Sequence, residues 1–410
     1  MINNFSFNKM PQYKHMRKFK ENHKMKIIQS LIISLCLLVT TIGFCQVANT
    51  PKAPTIAANS YILMDYNSGI LLAELDIDKQ VEPASITKMM TAYVVFSEIK
   101  LGNLRPEDKV TVSEKAWRTG GSKMFIEVNK KISVENLIKG MVIQSGNDAC
   151  VALSEHIAGT EETFADLMNQ HAERLGMNNS YFANATGLPA EGHYITAKDA
   201  AILAKAIIEE FPKYFEIFSE KEYTFNEITQ HNRNTLLWRD PSVDGFKTGH
   251  TEAAGYCLVS TAKRNGMRLI SVVMGTKSQK ARADESQKLL NYGFRFFETN
   301  LLYKGNEKRV NIEVWKGEEE NVDLGLAEDL YVTIPRGEYK NLQAKVDMPN
   351  YINAPITAKQ AIGQLNIQLD NKQIVSKPLI ALKPITAGGW WTRTTDSMGL
   401  WFKSFGGDDD

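Results

Sequence analysis

Apolar and polar positions alternate with a changing period along this chain, and the changes mark its elements. Across 60–74, short apolar and aromatic runs flank Asn67-Ser-Gly69, a pattern that predicts two strands joined by a tight turn. From about Ser85 the spacing becomes helical, with Met89, Ala92, Tyr93, Phe96 and Ile99 on one face and Pro83 just ahead of the start. Helical spacing dominates 137–208. β-Branched and aromatic runs then return at 255–262 and 268–275, separated by an Arg264-Asn-Gly266 turn, and a further helix is expected from 278 to about 299. Strands on either side of a helical middle, closed by a helix, predict an α/β (α+β) domain in which an antiparallel sheet is flanked by helices.

Beyond residue 300 the pattern shifts to short alternating runs, such as 309–315, 330–335 and 364–369, broken by Gly, Pro and Asn. This predicts a small all-β domain, which holds no constellation of catalytic residue types and reads as a spacer or stabilising module. In the last segment Trp391, Met398, Trp401, Phe402 and Phe405 fall on one helical face, while Arg393, Asp396, Lys403 and Ser404 fall elsewhere. Such a face suits an amphipathic helix lying on a membrane surface, and it also suits a helix docked on the β domain.

The N-terminus carries Lys14, Arg17, Lys18, Lys20, Lys24 and Lys26, then an uncharged run over 31–44 and small or polar residues. This reads as a secretory signal, since the apolar run is shorter than the roughly 20 residues of a bilayer span. Met25 is an alternative start, because a complete signal follows it. The expected organisation is a signal over 1–45, a linker over 46–58, a catalytic domain over 59–299, an all-β domain over 300–386 and an amphipathic anchor over 387–410.

Composition narrows the options. The 410 residues are 43% apolar and 23% charged with a formal net charge of +1, enough for two or three ordinary globular domains. Neither a basic stripe nor a nucleic-acid motif is present, so nucleic acid is not an expected partner. The seven histidines form no HExxH or Cys/His cluster, and no metal or other cofactor is expected. Cys36 and Cys45 fall in the signal; Cys150 and Cys257 sit inside apolar runs and are expected to be buried free thiols rather than a disulfide.

Three short segments carry the chemistry: Ser85-Ile-Thr-Lys88, Ser145-Gly-Asn147 and Lys247-Thr248-Gly249. A serine hydroxyl is a weak nucleophile and needs a base within hydrogen-bond reach, and Lys88 lies on the same helix face. A lysine serves as base only if burial or a neighbouring cation lowers its pKa, and Lys247 is a candidate for that cation. Ser145 and Asn147 belong on a turn at the start of the next helix, where a hydroxyl relays a proton and a carboxamide holds the lysine or a substrate amide. Lys247-Thr248-Gly249 reads as an edge strand, with Gly249 admitting substrate backbone, Lys247 and Thr248 facing a carboxylate, and Arg233 adding a second cation. Singly these segments are weak signals. In order, each on the element its chemistry requires, they point to acyl transfer through a serine ester.

At these residues the chain resembles the penicillin-binding, serine-active acyltransferases, and most closely the low-molecular-mass D-alanyl-D-alanine carboxypeptidases with their β-lactamase/transpeptidase-like fold. The resemblance runs over 61–405. It implies that Ser85 is the acylated nucleophile and Lys88 its base, that Ser145 relays protons, that Asn147 and Lys247 belong to the catalytic set, and that Lys247, Thr248, Gly249, His250 and Arg233 bind substrate, with the backbone amides of Ser85 and His250 as oxyanion hole. It also implies removal of the terminal D-alanine from peptidoglycan pentapeptide, acylation by β-lactams, and attachment to the periplasmic face of the inner membrane. Two alternatives stand beside it. A β-lactamase shares the motifs, but class A members use a glutamate-activated water and the stretch 177–188 contains no glutamate. A non-catalytic envelope protein that binds cell wall has no need of a nucleophile and two lysines.

Overall fold

In the computed structural model, which describes residues 50–391 and 393–397, the central sheet is antiparallel with strand order Leu71–Leu75, Ser60–Asp65, Met267–Thr276, Gly255–Arg264, Val243–Thr251. Both faces of this sheet are covered. Ile62, Met64, Val259, Ile270, Val272 and Met274 enter the core shared with the helical half, whereas Tyr61, Leu63, Leu258, Leu269 and Val273 pack with Leu289 and Leu290 of the helix Gln279–Phe296. Side chains that alternate faces with both faces buried give the near-continuous apolar runs seen in the sequence.

The helices begin where short polar side chains can cap them. Ser133, Thr160, Thr196 and Ser278 each accept a hydrogen bond from a first-turn amide of Val134–Ile143, Glu161–Arg174, Ala197–Glu210 and Gln279–Phe296 respectively. The helix Thr87–Leu101 ends at Gly102, whose φ of 81° supplies the left-handed C-cap. Its sequence pattern suggested a single apolar face, yet all of 87–96 is buried. The reason is position: this helix runs through the middle of the helical half, against Val134–Ile143, Asn147–Ala158, Glu161–Arg174 and Ala197–Glu210, so 87–96 are covered on every side while its last turn reaches the surface.

The closing helix stops at Phe296, because Phe297–Tyr303 turns extended and pairs antiparallel with Leu330–Pro335, a strand that runs across the expected boundary at 299/300. The remaining strands after residue 303 form a six-stranded sheet ordered Leu342–Asp347, Ala361–Leu369, Lys372–Ala381, Asn321–Gly325, Val310–Trp315, Tyr351–Asn353, with a core that includes Val322, Leu324, Val332, Leu365 and Leu379. At the junction the fully buried Asp65 accepts hydrogen bonds from Thr299 Oγ1 at 2.6 Å and Ser68 Oγ at 2.9 Å, and Ser68 and Thr299 both meet Thr333.

Residues 390, 391 and 393–397 are helical. Trp390 and Trp391 are 69% and 73% exposed, while the Asp396 carboxylate accepts the Lys316 amide at 2.6 Å and ties this segment to the β domain. The signal, Met25, Cys36, Cys45, and the tail residues Met398, Trp401, Phe402, Lys403, Ser404 and Phe405 lie outside the described residues. Among the described residues no helix is long and apolar enough to cross a membrane.

Candidate active site

Ser85 sits on the 3-10 turn Ala84–Ile86 that leads directly into the helix Thr87–Leu101. The turn is sharp. Ala84 has φ of 46°, a left-handed conformation that costs a non-glycine residue of order 1–3 kcal/mol and persists only where the surroundings enforce it. Two glycines do so by close approach. A Cβ on Gly187, itself at φ 82°, would lie 1.8 Å from the Ala84 carbonyl oxygen, and one on Gly249 would lie 3.2 Å from Ala84 Cβ and 3.1 Å from Ile86 Cγ1. Gly249 lines the cleft as expected, but the side of it left bare faces the Ala84–Ile86 turn, so the missing side chain lets the edge strand Val243–Thr251 seat against that turn.

Ser145, at φ 62°, precedes the helix Asn147–Ala158, as the motif spacing predicted. Asp148 explains why this turn is rigid. Its fully buried carboxylate accepts the amides of Met124 at 2.8 Å, Phe125 at 2.9 Å, Ile126 at 3.2 Å and Ala149 at 2.9 Å, locking the loop ahead of it to the helix start. The Asn147 side chain is fixed in orientation: Nδ2 donates to the Gly120 carbonyl at 2.7 Å, which leaves Oδ1 facing Lys88.

The two lysines lie beneath the cleft floor, 1% and 3% exposed. Lys88 Nζ is 3.0 Å from Ser85 Oγ, 2.7 Å from Asn147 Oδ1 and 2.5 Å from the Thr186 carbonyl. Lys247 Nζ donates to Ser145 Oγ at 2.9 Å and to the Thr248 carbonyl at 3.3 Å. Burial holds the Lys88 amine below its ordinary value of 10.5, with the Arg233 guanidinium adding to the effect and Asp148 opposing it. Burial also drives Lys247 well below 10.5, helped by repulsion from Lys88 and then Arg233. Of the two causes open in the sequence, burial and a neighbouring cation, burial is the larger; the repulsion between Lys88 and Lys247 is mutual, and Arg233 is a further cation that acts on both.

Ser85, Ser145, Asn147, Arg233, Thr248, Gly249 and His250 meet around one cleft of about 320 Å³. Three of its components carried no usable sequence signal. Arg282 lies in the charged first half of its helix, yet it is 5% exposed, lines the cleft and donates to the Gly249 carbonyl at 3.2 Å; burial lowers its pKa to about 10. Thr186 contributes only its backbone carbonyl to Lys88, which no side-chain motif encodes. Gly187 acts through the side chain it lacks. Asp148 was legible in part, as an acidic residue in the first turn of a helix.

Cys150 and Cys257 are free and buried, with thiols pushed up to about 12 and about 11 by burial. Among the described residues no cluster of three or more His, Cys, Asp or Glu could hold a metal.

Family comparison agrees with this architecture. Residues 47–278 match the D-alanyl-D-alanine carboxypeptidase family, and residues 297–387 match the penicillin-binding protein 5 C-terminal domain. The chain is 45% identical to the D-alanyl-D-alanine carboxypeptidase DacC of Escherichia coli (strain K12) over 368 residues, 87% of this chain and 92% of the relative. The crystal structure of penicillin binding protein 5 from Haemophilus influenzae superimposes with a TM-score of 0.80 at 42% identity, over 82% of this chain and 99% of that one. Penicillin-binding protein D2 from Listeria monocytogenes, solved in its ampicillin-bound form, matches with a TM-score of 0.55 at 31% identity, over 59% of this chain and all of that one. The fold and site thus define a penicillin-binding serine hydrolase. The chain belongs to the D-alanyl-D-alanine carboxypeptidase family.

Proposed function

We propose that this carboxypeptidase removes the terminal D-alanine of peptidoglycan pentapeptides through an ester at Ser85, with Lys88 as the base. The observation that carries the assignment is the set of partners around Lys88 Nζ. Asn147 Oδ1 and the Thr186 carbonyl can only accept hydrogen bonds. A neutral amine has two N–H groups and one lone pair, so once those acceptors take the two hydrogens the lone pair is left for the third partner, the Ser85 hydroxyl. The amine then draws the Oγ proton as Oγ attacks the carbonyl carbon of the penultimate D-alanine.

The tetrahedral oxyanion would be held by the amides of Ser85 and His250, each such donor being worth about 2.7–4 kcal/mol of barrier. As the amide C–N bond breaks, the leaving nitrogen receives a proton through Ser145, whose hydroxyl is held by Lys247. The carboxylate of the departing D-alanine finds its counter-charges in Arg233 and Arg282, with Thr248 beside them. Water then attacks the ester carbonyl, giving the shortened peptide and restoring the Ser85 hydroxyl. A β-lactam presents an amide, strained by its ring, beside a carboxylate in the same way, and would acylate the same oxygen.

Two sequence alternatives lose ground on specific observations. The cleft lining contains no Asp or Glu, so the carboxylate that activates water in class A β-lactamases has no counterpart there. A purely wall-binding protein gains nothing from two buried lysine amines, each of which costs stability through desolvation. The signal over 1–45 and the tail over 387–410 support a place on the periplasmic face of the inner membrane, with exposed Trp390 and Trp391 at the membrane side of the tail. Mass spectrometry of a pentapeptide ending in D-Ala-D-Ala, incubated with the protein, tests the reaction directly. Loss of one alanine, blocked by prior penicillin, is expected; an intact peptide, or loss that penicillin does not block, contradicts it.

A further inference from the structure

The two amides proposed to hold the oxyanion lie on segments that meet only in the fold: Ser85 on the turn Ala84–Ile86, and His250 on the strand Val243–Thr251. That strand is an outer edge of the five-stranded sheet, paired on one side with Gly255–Arg264 from Val243 opposite Ala262 to Thr251 opposite Gly255. Its other side has no strand beside it. The separation of the two amides, and with it the fit of a tetrahedral oxygen, therefore depends on what ties this edge to the helical half.

Among the described residues two hydrogen bonds make that tie, one on each side of His250. Lys247 Nζ donates to Ser145 Oγ at 2.9 Å, and Thr251 Oγ1 donates to Glu82 Oε2 at 2.8 Å. Lys247 belongs to the proposed chemistry; the Glu82–Thr251 bond has no part in it. A carboxylate only accepts, so the single hydrogen of the Thr251 hydroxyl points at Glu82, while the same oxygen takes the Ala254 amide at 3.0 Å. Glu82 is rooted from behind. The amide of Val81 donates to the Ile195 carbonyl, and the Val81 carbonyl accepts the Ile195 amide, each at 3.0 Å, just ahead of the helix Ala197–Glu210. Among the described residues Glu82 makes no ion pair, and the Thr251 hydroxyl is its one side-chain partner. Thr251 lines the cleft, whereas Glu82 does not.

We infer that Glu82 is a positioning residue for the oxyanion hole: through Thr251 it holds the His250 end of the edge strand at a fixed distance from the Ser85 turn. The inference rests on the serine-ester reading above. Oxyanion donors act only when they lie about 2.7–3.1 Å from the place the oxygen will occupy, so a strand end that swings by about 1 Å forfeits transition-state binding. The ground state, held by other contacts, is little changed. Bare Gly249 against Ala84 and Ile86 sets how near the strand can come, and the Glu82–Thr251 bond sets how far it can move away. The same bond bears on the strained Ala84, two residues after Glu82, whose left-handed φ needs its surroundings to enforce it. The part played by Glu82 is geometric, so any acceptor of the same length serves in place of the charge.

The test measures kcat and KM of the full chain on a pentapeptide ending in D-Ala-D-Ala, and its affinity for a peptide boronic acid, which forms a tetrahedral adduct on a serine. A parent that neither turns over nor is acylated by penicillin would overturn the serine-ester reading; the strut is judged on variants of an active parent. Glu82→Ala and Thr251→Val are each expected to lower kcat about tenfold with KM within about twofold, and to weaken the boronic acid about tenfold. Glu82→Gln, which keeps an acceptor, is expected to stay within about threefold of the parent on both measures. The double variant should be no slower than Thr251→Val alone, since both changes remove one bond. If Glu82→Ala does not fold, Thr251→Val and Glu82→Gln, both close to the parent in shape, decide by the same criteria. Unchanged kcat on loss of the bond, unchanged boronic acid affinity, Glu82→Gln as slow as the bond-deleted variants, or additive losses in the double variant would each overturn the inference.

Discussion

Three atoms surround the Lys88 amine, and each comes from a different part of the chain: Ser85 Oγ, Asn147 Oδ1 and the Thr186 carbonyl, the set on which the proposed role of base rests. The arrangement works only while the amine is neutral. Lys88→Arg keeps the length and the donors but carries a guanidinium that does not deprotonate, so kcat/KM and penicillin acylation should fall by about 10²–10⁴, the usual contribution of a general base. In the parent enzyme the acylation rate should rise with pH along an acid limb lying below the ordinary lysine value of 10.5, because lowering the pH through the depressed pKa converts the base to its inactive ammonium form. Stopped-flow acylation across pH checks both; an arginine variant that retains the parental rate would remove Lys88 from the role. The Ser-x-x-Lys spacing was readable as a base beside a nucleophile. That burial is the largest cause of its lowered pKa, with Arg233 adding to it, was not, since both depend on what the fold places around the amine.

Between elements, the segment 183–193 serves as a brace for the start of the helix Thr87–Leu101. His193 Nδ1 accepts the Ala183 amide at 2.7 Å, which requires an unprotonated Nδ1, and its Nε2 lies 2.9 Å from Thr87 Oγ1. Burial lowers the pKa of this histidine from 6.5 to about 4. The folded state therefore resists a proton that the unfolded chain accepts. Its contribution is fully present above about pH 6.5 and is lost progressively as the pH falls towards about 4, amounting to about 3 kcal/mol in all. Urea unfolding at a series of pH values should show stability falling over that window, with a shallower fall in His193→Gln. Identical slopes would assign the acid sensitivity elsewhere. This brace had no sequence signature, because the helical period that marks 137–208 lapses around it and a lone histidine is uninformative.

Taken whole, the molecule hangs its catalytic cleft and its β domain on one sheet, joined by the Phe297–Tyr303 strand and the Asp65–Thr299–Thr333 hydrogen bonds. The tail leaves from the β domain at Gly388, whose amide donates to the Lys316 carbonyl. Truncation after residue 387 should leave penicillin acylation and pentapeptide cleavage within about twofold and release the protein from sedimented membranes, since the dominant contribution to interfacial binding is buried apolar area on the tail. Continued sedimentation of the truncated protein would place the membrane contact elsewhere.

By itself the sequence determined the local questions. Period and turn residues placed the hairpin at 60–74, the strands around Arg264-Asn-Gly266 and the closing helix, and motif order named Ser85, Lys88, Ser145, Asn147 and Lys247, because strand, helix and nucleophile signals depend on neighbours a few positions away. Only the tertiary structure decided that residues 87–96 of the helix Thr87–Leu101 are buried on every side, that Gly249 is bare towards the Ala84–Ile86 turn, and that Thr186, Arg282 and Asp148 surround the same cleft. These are properties of desolvation and close approach between segments more than 20 residues apart, and nothing in the order of residues along the chain fixes them before the chain has packed.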